Sequence, residues 1–149
     1  MKKLFFILII ATTLFEACRG FDDGPKISFR SISSRLFKNW TVEQYLVDDI
    51  DSTKHYYDSC GCDILFDNQS DDDPQFHLIN NCINDSKKSA GHFGITHKVF
   101  QIRYASYYSV IPFEMDSQWD IKRLTKDEFW LTSTQDGKKY FLKLKVKKK

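Results

Sequence analysis

A chain of 149 residues fits one domain and makes two unfavourable. Hydrophobic residues at 42%, charged residues at 28% and only six Gly and three Pro exclude disordered, collagen-like and linker-like classes. A formal net charge of +2 gives no electrostatic footprint for nucleic acid.

The first twenty residues read as an address. Lys2 and Lys3 precede an apolar run, Leu4–Leu14. A helix crossing roughly 30 Å of hydrocarbon needs about 20 apolar residues, so this run is too short to span. It has the make-up of a signal-peptide core. The run ends in Leu14-Phe15-Glu16-Ala17-Cys18. A small residue followed by Cys at this distance resembles a bacterial lipobox, although Phe15 and Glu16 depart from its usual choices. The resemblance implies removal of residues 1–17, acylation of Cys18 and attachment to a membrane through that lipid. The alternatives are a secreted chain with an incidental Cys18 and an uncleaved anchor. Arg19 follows the Cys, and Asp22-Asp23 resembles the acidic export signals of Bacteroidetes lipoproteins. The expected location is therefore the outer membrane, with surface exposure as a further expectation. Residues 18–34 read as a lipidated N-terminus and tether, and residues 35–149 as the folded domain.

With Cys18 set aside, Cys60, Cys62 and Cys82 remain. Cys60 and Cys62 lie too close for an easy bridge, about 6.5–7 Å apart at Cα in an extended chain. A bridge from Cys60 or Cys62 to Cys82 is better placed, and Cys62–Cys82 is the candidate pair. It would close a loop of about 20 residues and contribute on the order of 3 kcal/mol. The C-x-C spacing matches neither a thioredoxin-like motif nor paired zinc ligands.

From about residue 36 the chain is a succession of short β-branched and aromatic segments. Trp40–Leu46 alternates, with Trp40, Val42 and Leu46 expected on one face. Asp63–Asp67 reads as a core strand, followed by strands over Gln75–Asn80 and Ala90–Thr96. Val99–Ile111 is long and aromatic, with room for a break. In Gln118–Leu124 the alternation sets Trp119, Ile121 and Arg123 against Gln118, Asp120, Lys122 and Leu124. Glu128–Ser133 and Lys139–Val146 flank Asp136-Gly137, the strongest short-range hairpin signal. Tyr140, Leu142, Leu144 and Val146 then share one face. Helical periodicity is weak throughout. About eight strands at this spacing predict an all-β fold, an antiparallel up-and-down barrel or a sandwich.

The segments Arg35-Leu36-Phe37-Lys38-Asn39-Trp40-Thr41-Val42-Glu43 and Tyr45–Thr53 resemble the opening of lipocalin-like lipoproteins of Bacteroidetes. So do Trp119–Leu131 and Tyr140–Leu144. Lys38 stands where that family usually has Gly, and Asp48-Asp49 stands at its Asp-Gly turn. The resemblance implies an eight-stranded lipocalin-like barrel and carries over no catalytic residues.

Candidate chemistry is sparse. His55, His77, His92 and His97 show no paired-ligand spacing, and Asp67–Leu78 lacks the Gly and Glu of a calcium loop. No nucleophile motif or phosphate loop is present, so neither an enzyme nor a cofactor is expected. The Lys143, Lys145 and Lys147–Lys149 stripe either discourages edge pairing or meets acidic head groups. Asp51-Ser52-Thr53 resembles a Bacteroidetes O-glycosylation site at Ser52, or else forms an Asx turn. The aromatic share of 15% must fill the barrel or line a cavity, since eight strands allow either. The candidate ligand contacts are Trp40, Tyr104, Tyr108, Trp119 and Trp130, with Trp40 also placed as the barrel's plug. Two functions remain open. One is a barrel binding a small apolar or amphipathic ligand. The other is a filled barrel serving as an interaction subunit for an envelope protein partner.

Intact-mass spectrometry of protein from its native host is expected to show a chain beginning at Cys18 with added acyl mass. A sugar mass lost on Ser52→Ala would mark the second modification; its absence from the wild-type chain would exclude it.

Overall fold

In a computed structural model, which describes residues 21–23, 30–67, 74–80, 89–96, 98–105 and 117–148, the strand signals resolve into a closed sheet. The elements are α1 (Ile32–Leu36), β1 (Asn39–Val47), β2 (Ile50–Asp51), α2 (Thr53–Cys60), β3 (Cys62–Asp67), β4 (Gln75–Asn80), β5 (Ser89–Thr96), β6 (Val99–Ala105), β7 (Gln118–Leu124), β8 (Glu128–Gln135) and β9 (Lys138–Val146). β3 to β9 pair each with the next, β1 pairs with both β3 and β9, and all pairings are antiparallel. The result is an eight-stranded up-and-down barrel, with β2 as a short extra strand beside β1. Its upper end is where β1, β4, β6 and β8 finish; its lower end is where they start.

The hairpin signal holds. Asp136 (φ 49°) and Gly137 (φ 79°) join β8 to β9 with Gln135 facing Lys138. Asp48 (φ 50°) and Asp49 (φ 64°) make a second such turn between β1 and β2. Two aspartates in the left-handed region need support. The Lys139 N–H donates to the Asp48 carboxylate and the Asp48 N–H to the Lys139 carbonyl, both at 2.8 Å. Each turn therefore braces the other.

Period-2 reading fails at the β-bulges, where one extra residue returns the next side chain to the other face. Between Val42 and Gln44 the register shifts and Glu43 is the extra residue. Tyr45, not Leu46, is therefore the next inward side chain after Val42. Glu43 instead meets Lys143 at 2.9 Å and Lys145 at 3.5 Å. In β7 the shift lies between Ile121 and Arg123, so Leu124 is buried and Arg123 is not.

Periodicity indicated neither helix, and α2 is the longer of the two. It lies along β1 where β3 does not reach, since β1 and β3 pair only through Asn39–Leu65 and Trp40–Ile64. The Tyr45 N–H donates to Thr53 Oγ1 at 2.9 Å, the Ser52 N–H donates to the Tyr45 carbonyl at 2.8 Å, and the Tyr57 hydroxyl donates to the Val42 carbonyl. The edge of β1 is thus satisfied without a neighbouring strand. Gly61 ends the helix because a Cβ there would lie 2.3 Å from Tyr57 Cδ1 and 2.9 Å from its Cα.

Rings fill the lower interior. Phe66 packs against Phe76, Phe93, Phe100 and Phe129 with centroids 5.2–6.4 Å apart, and Trp40 lies 5.8 Å from Phe129. Each such buried ring contributes about 1.5–3 kcal/mol, and edge-on pairing adds about 0.5–1.5 kcal/mol. α1 closes this end. Ser31 caps it by accepting the Ser34 N–H at 3.2 Å. Arg35 Nη1 donates to the Leu124 carbonyl at 2.7 Å, and Trp40 Nε1 donates to the Leu36 carbonyl at 2.8 Å.

Within the expected tether, residues 21–23 are fastened to the barrel. β6 leaves the lower part of β7 uncovered, and the bulge presents the Lys122 carbonyl there. The Asp23 N–H donates to it at 2.9 Å. Arg123 donates to the Asp23 carbonyl, and the Asp22 carboxylate takes Lys98 and Lys122. Phe21 packs against the core beneath the Arg35 guanidinium, 5.5 Å from its centroid.

Trp40→Ala is expected to cost about 3–5 kcal/mol in chemical denaturation. Gly61→Ala should also destabilise, because Tyr57 must leave the Val42 carbonyl. Lys98 foremost, with Lys122, holds the Asp22 carboxyl below its ordinary value. A depressed carboxylate stabilises above its unfolded pKa and loses that contribution as pH falls through the folded one. Hydrogen exchange should therefore show the Asp23 amide losing protection in acid before the barrel core does.

Candidate functional site

Above the phenylalanine cluster the interior changes character. Tyr45 from β1, Tyr56 from α2, Trp119 from β7 and Tyr140 from β9 form a layer of rings that each carry a polar handle. Tyr140 stacks on Tyr45 at 6.3 Å with 17° between planes, and it meets Trp119 at 6.2 Å. Tyr56 lies 6.0 Å from Tyr45. Tyr45, Tyr56 and Trp119 are buried, whereas Tyr140 is half-buried. Trp119 Nε1 points at Ser117 Oγ, 3.2 Å away, and Ser133 Oγ donates to the Gln118 carbonyl. The layer combines apolar ring faces with hydroxyl and indole edges, a combination that matches an amphipathic molecule.

The expected contact residues are distributed differently. Trp119 belongs to this layer. Trp40 is fully buried at the lower end and plugs the barrel, as its second assignment had it. Trp130 departs from the expectation of an inward contact. Phe129 and Leu131 on either side of it are buried, so its ring lies on the outer wall. There it sits between Arg123 at 5.1 Å and Lys143 at 5.2 Å, with Phe141 edge-on at 6.3 Å. Tyr104 stands opposite His92 in the β5–β6 ladder. Tyr108, Cys18 and Cys82 lie outside the described residues. Cys62 faces Asn80 in the β3–β4 ladder, two positions before Cys82.

Tyr45, Tyr56 and Tyr140 are site residues that sequence reasoning did not select. Tyr140 could have been found, since it shares a face with Leu142 and Leu144. Tyr45 was hidden by the Glu43 bulge and Tyr56 by the unrecognised helix.

At Ser52 the Asx turn is present: Asp51 accepts the Thr53 N–H at 2.8 Å, and this bonding, Thr53's side chain first, lowers the Asp51 pKa. Ser52 Oγ lies 3.5 Å from the Ile50 carbonyl. Among the described residues no group of three His, Cys, Asp or Glu side chains could hold a metal ion, and no helix is long and apolar enough to cross a membrane. Leu46, Asp49, Asp120, Thr132 and Phe141, together with Tyr140 of the ring layer, line an open depression of about 390 Å³.

No protein-family model matches the chain, and no curated protein matches it in sequence. Among solved structures, the fold is similar to Japanin from Rhipicephalus appendiculatus bound to cholesterol. The TM-score is 0.57 at 13% identity, covering 78% of this chain and 79% of that one. With its closed eight-stranded antiparallel barrel, the chain has a lipocalin-like fold.

Proposed function

We propose that this chain is a non-enzymatic, lipid-anchored lipoprotein of the outer membrane whose upper barrel binds a small apolar or amphipathic molecule. The observation that carries the reading is the division of the interior. Phenylalanines seal the lower half, while Tyr45, Tyr56, Trp119 and half-buried Tyr140 lie beneath the upper end. A structurally similar barrel that holds cholesterol supports an apolar guest. Anchoring is supported by the Leu4–Leu14 run and the lipobox-like end at Cys18.

A second reading, an interaction subunit of an envelope complex, is supported by the outer wall. Ile50 is 70% exposed next to the strand end that carries Leu46 and close to the open depression. Under this reading the upper layer is only core.

Titration with a fluorescent sterol and a fluorescent fatty acid separates the two. The first reading expects saturable binding with energy transfer from tryptophan. Tyr140→Ala should weaken it about tenfold, equivalent to about 1.4 kcal/mol. Trp130→Ala, on the outer wall, should leave it unchanged. Absence of binding by both probes, with an envelope protein co-purifying in stoichiometric amount, would establish the second reading instead.

A further inference from the structure

The clamp on residues 21–23 bears on how the barrel stands on a membrane. Phe21 is at the closed lower end, under Arg35 and against the core. Asp22 and Asp23 then run along the free lower edge of β7, held by Lys98, Lys122 and Arg123. Cys18 is three positions before Phe21, so the chain can reach at most about 11 Å from Phe21 to the residue that would carry the acyl chains. A lipid at Cys18 would therefore hold the lower end close to the bilayer, with little freedom for the barrel to turn over.

Charge is arranged to match. At the lower end Lys38, Lys98, Lys126 and Lys148 flank the segment and outnumber the exposed Asp127, whereas at the upper turns the exposed Asp48, Asp49 and Asp136 outnumber Lys138 and Lys139. Anionic head groups attract the first set and repel the second within a Debye length.

We infer that the barrel stands with its lower end against an anionic lipid surface and its upper end turned away, so that a guest enters from the aqueous side and not from the bilayer below. This orientation rests on the lipid attachment proposed above. It makes the protein a receiver of material arriving from the medium or from another carrier. The phenylalanine packing in the lower interior stands against direct extraction from its own bilayer.

The test uses the full processed chain in nanodiscs of phosphatidylethanolamine and phosphatidylglycerol doped with a gadolinium-chelating lipid. Amide relaxation enhancement is expected to be several-fold larger at Lys98 and Lys126 than at Asp49 and Gly137. Asp22→Lys, which sets a third cation against Lys98 and Lys122, should abolish that contrast while acylation persists. Equal enhancement at both ends of the acylated wild-type protein, or greater enhancement at the upper turns, would overturn the orientation and leave the anchor standing. Contrast retained in acylated Asp22→Lys would overturn the clamp as its cause. A processed chain that carries no acyl mass and fails to associate with the nanodiscs would overturn the anchor itself, and the orientation with it.

Discussion

The structure depends on closure of the sheet, and closure depends on one ladder. β1 and β9 come from opposite ends of the folded domain and pair from Trp40–Val146 to Val47–Tyr140. Without that pairing the sheet would have two long edges and an open, wet face of aromatic residues. With it, Trp40, Phe66, Phe100 and Phe129 face one another across a dry interior. The ladder also sets how the interior is divided. The extra residue at Glu43 turns Tyr45 inward, and Tyr45 is the ring on which Tyr140 stacks. The same irregularity turns Glu43 outward to Lys143 and Lys145. These exposed ion pairs contribute little each, but they keep the bulged residue in solvent.

Two of the bulges lie where something docks. The one at Glu43 lies beside the Val42 carbonyl, which accepts from Tyr57. The one at Lys122 exposes a carbonyl that accepts from Asp23. In both cases a neighbouring strand, β3 or β6, stops short beside the bulge, and a segment from elsewhere satisfies the backbone acceptor left at the edge. Helix α2 and the N-terminal segment thus do for β1 and β7 what a neighbouring strand would otherwise do. The barrel wall is therefore built of strands plus two patches of different material.

Much of the fold was legible in the residues. Asp136-Gly137 between two alternating segments specified the last hairpin, and the apolar segments placed the other strands within a few residues. The paired faces of β9 followed directly from Tyr140, Leu142 and Leu144. Bulges were not legible, because a single inserted residue leaves composition unchanged while reversing every later side chain. That is why Leu46 and Arg123 were given inward faces that belong to Tyr45 and Leu124. Trp130 alternates with the inward Phe129 and Leu131, and that parity puts it outside. Helix α2 escaped because, among its described side chains, Tyr56 alone is buried. Its other ties are hydrogen bonds made by Ser52, Thr53 and Tyr57, which leave no apolar period to detect. The Asp22 and Asp23 contacts were hidden for a similar reason. They read as an export signal in one dimension, and only the fold brings Lys98, Lys122 and Arg123 beside them.

The way α2 stands in for a strand has a mechanical consequence. Most of the wall is held by longer ladders, although β6 and β7 share only three residue pairs. Between β1 and β3 it is joined by two residue pairs and then by a few bonds to hydroxyl groups. Such a join can part locally at far less free energy than global unfolding. The barrel thus has a seam, and it runs beside Tyr45 and Tyr56. Together with the short β6–β7 join, it is a place where the wall can part locally. A guest too bulky for the upper rim would find in that seam a wall that can widen without loss of closure between β1 and β9.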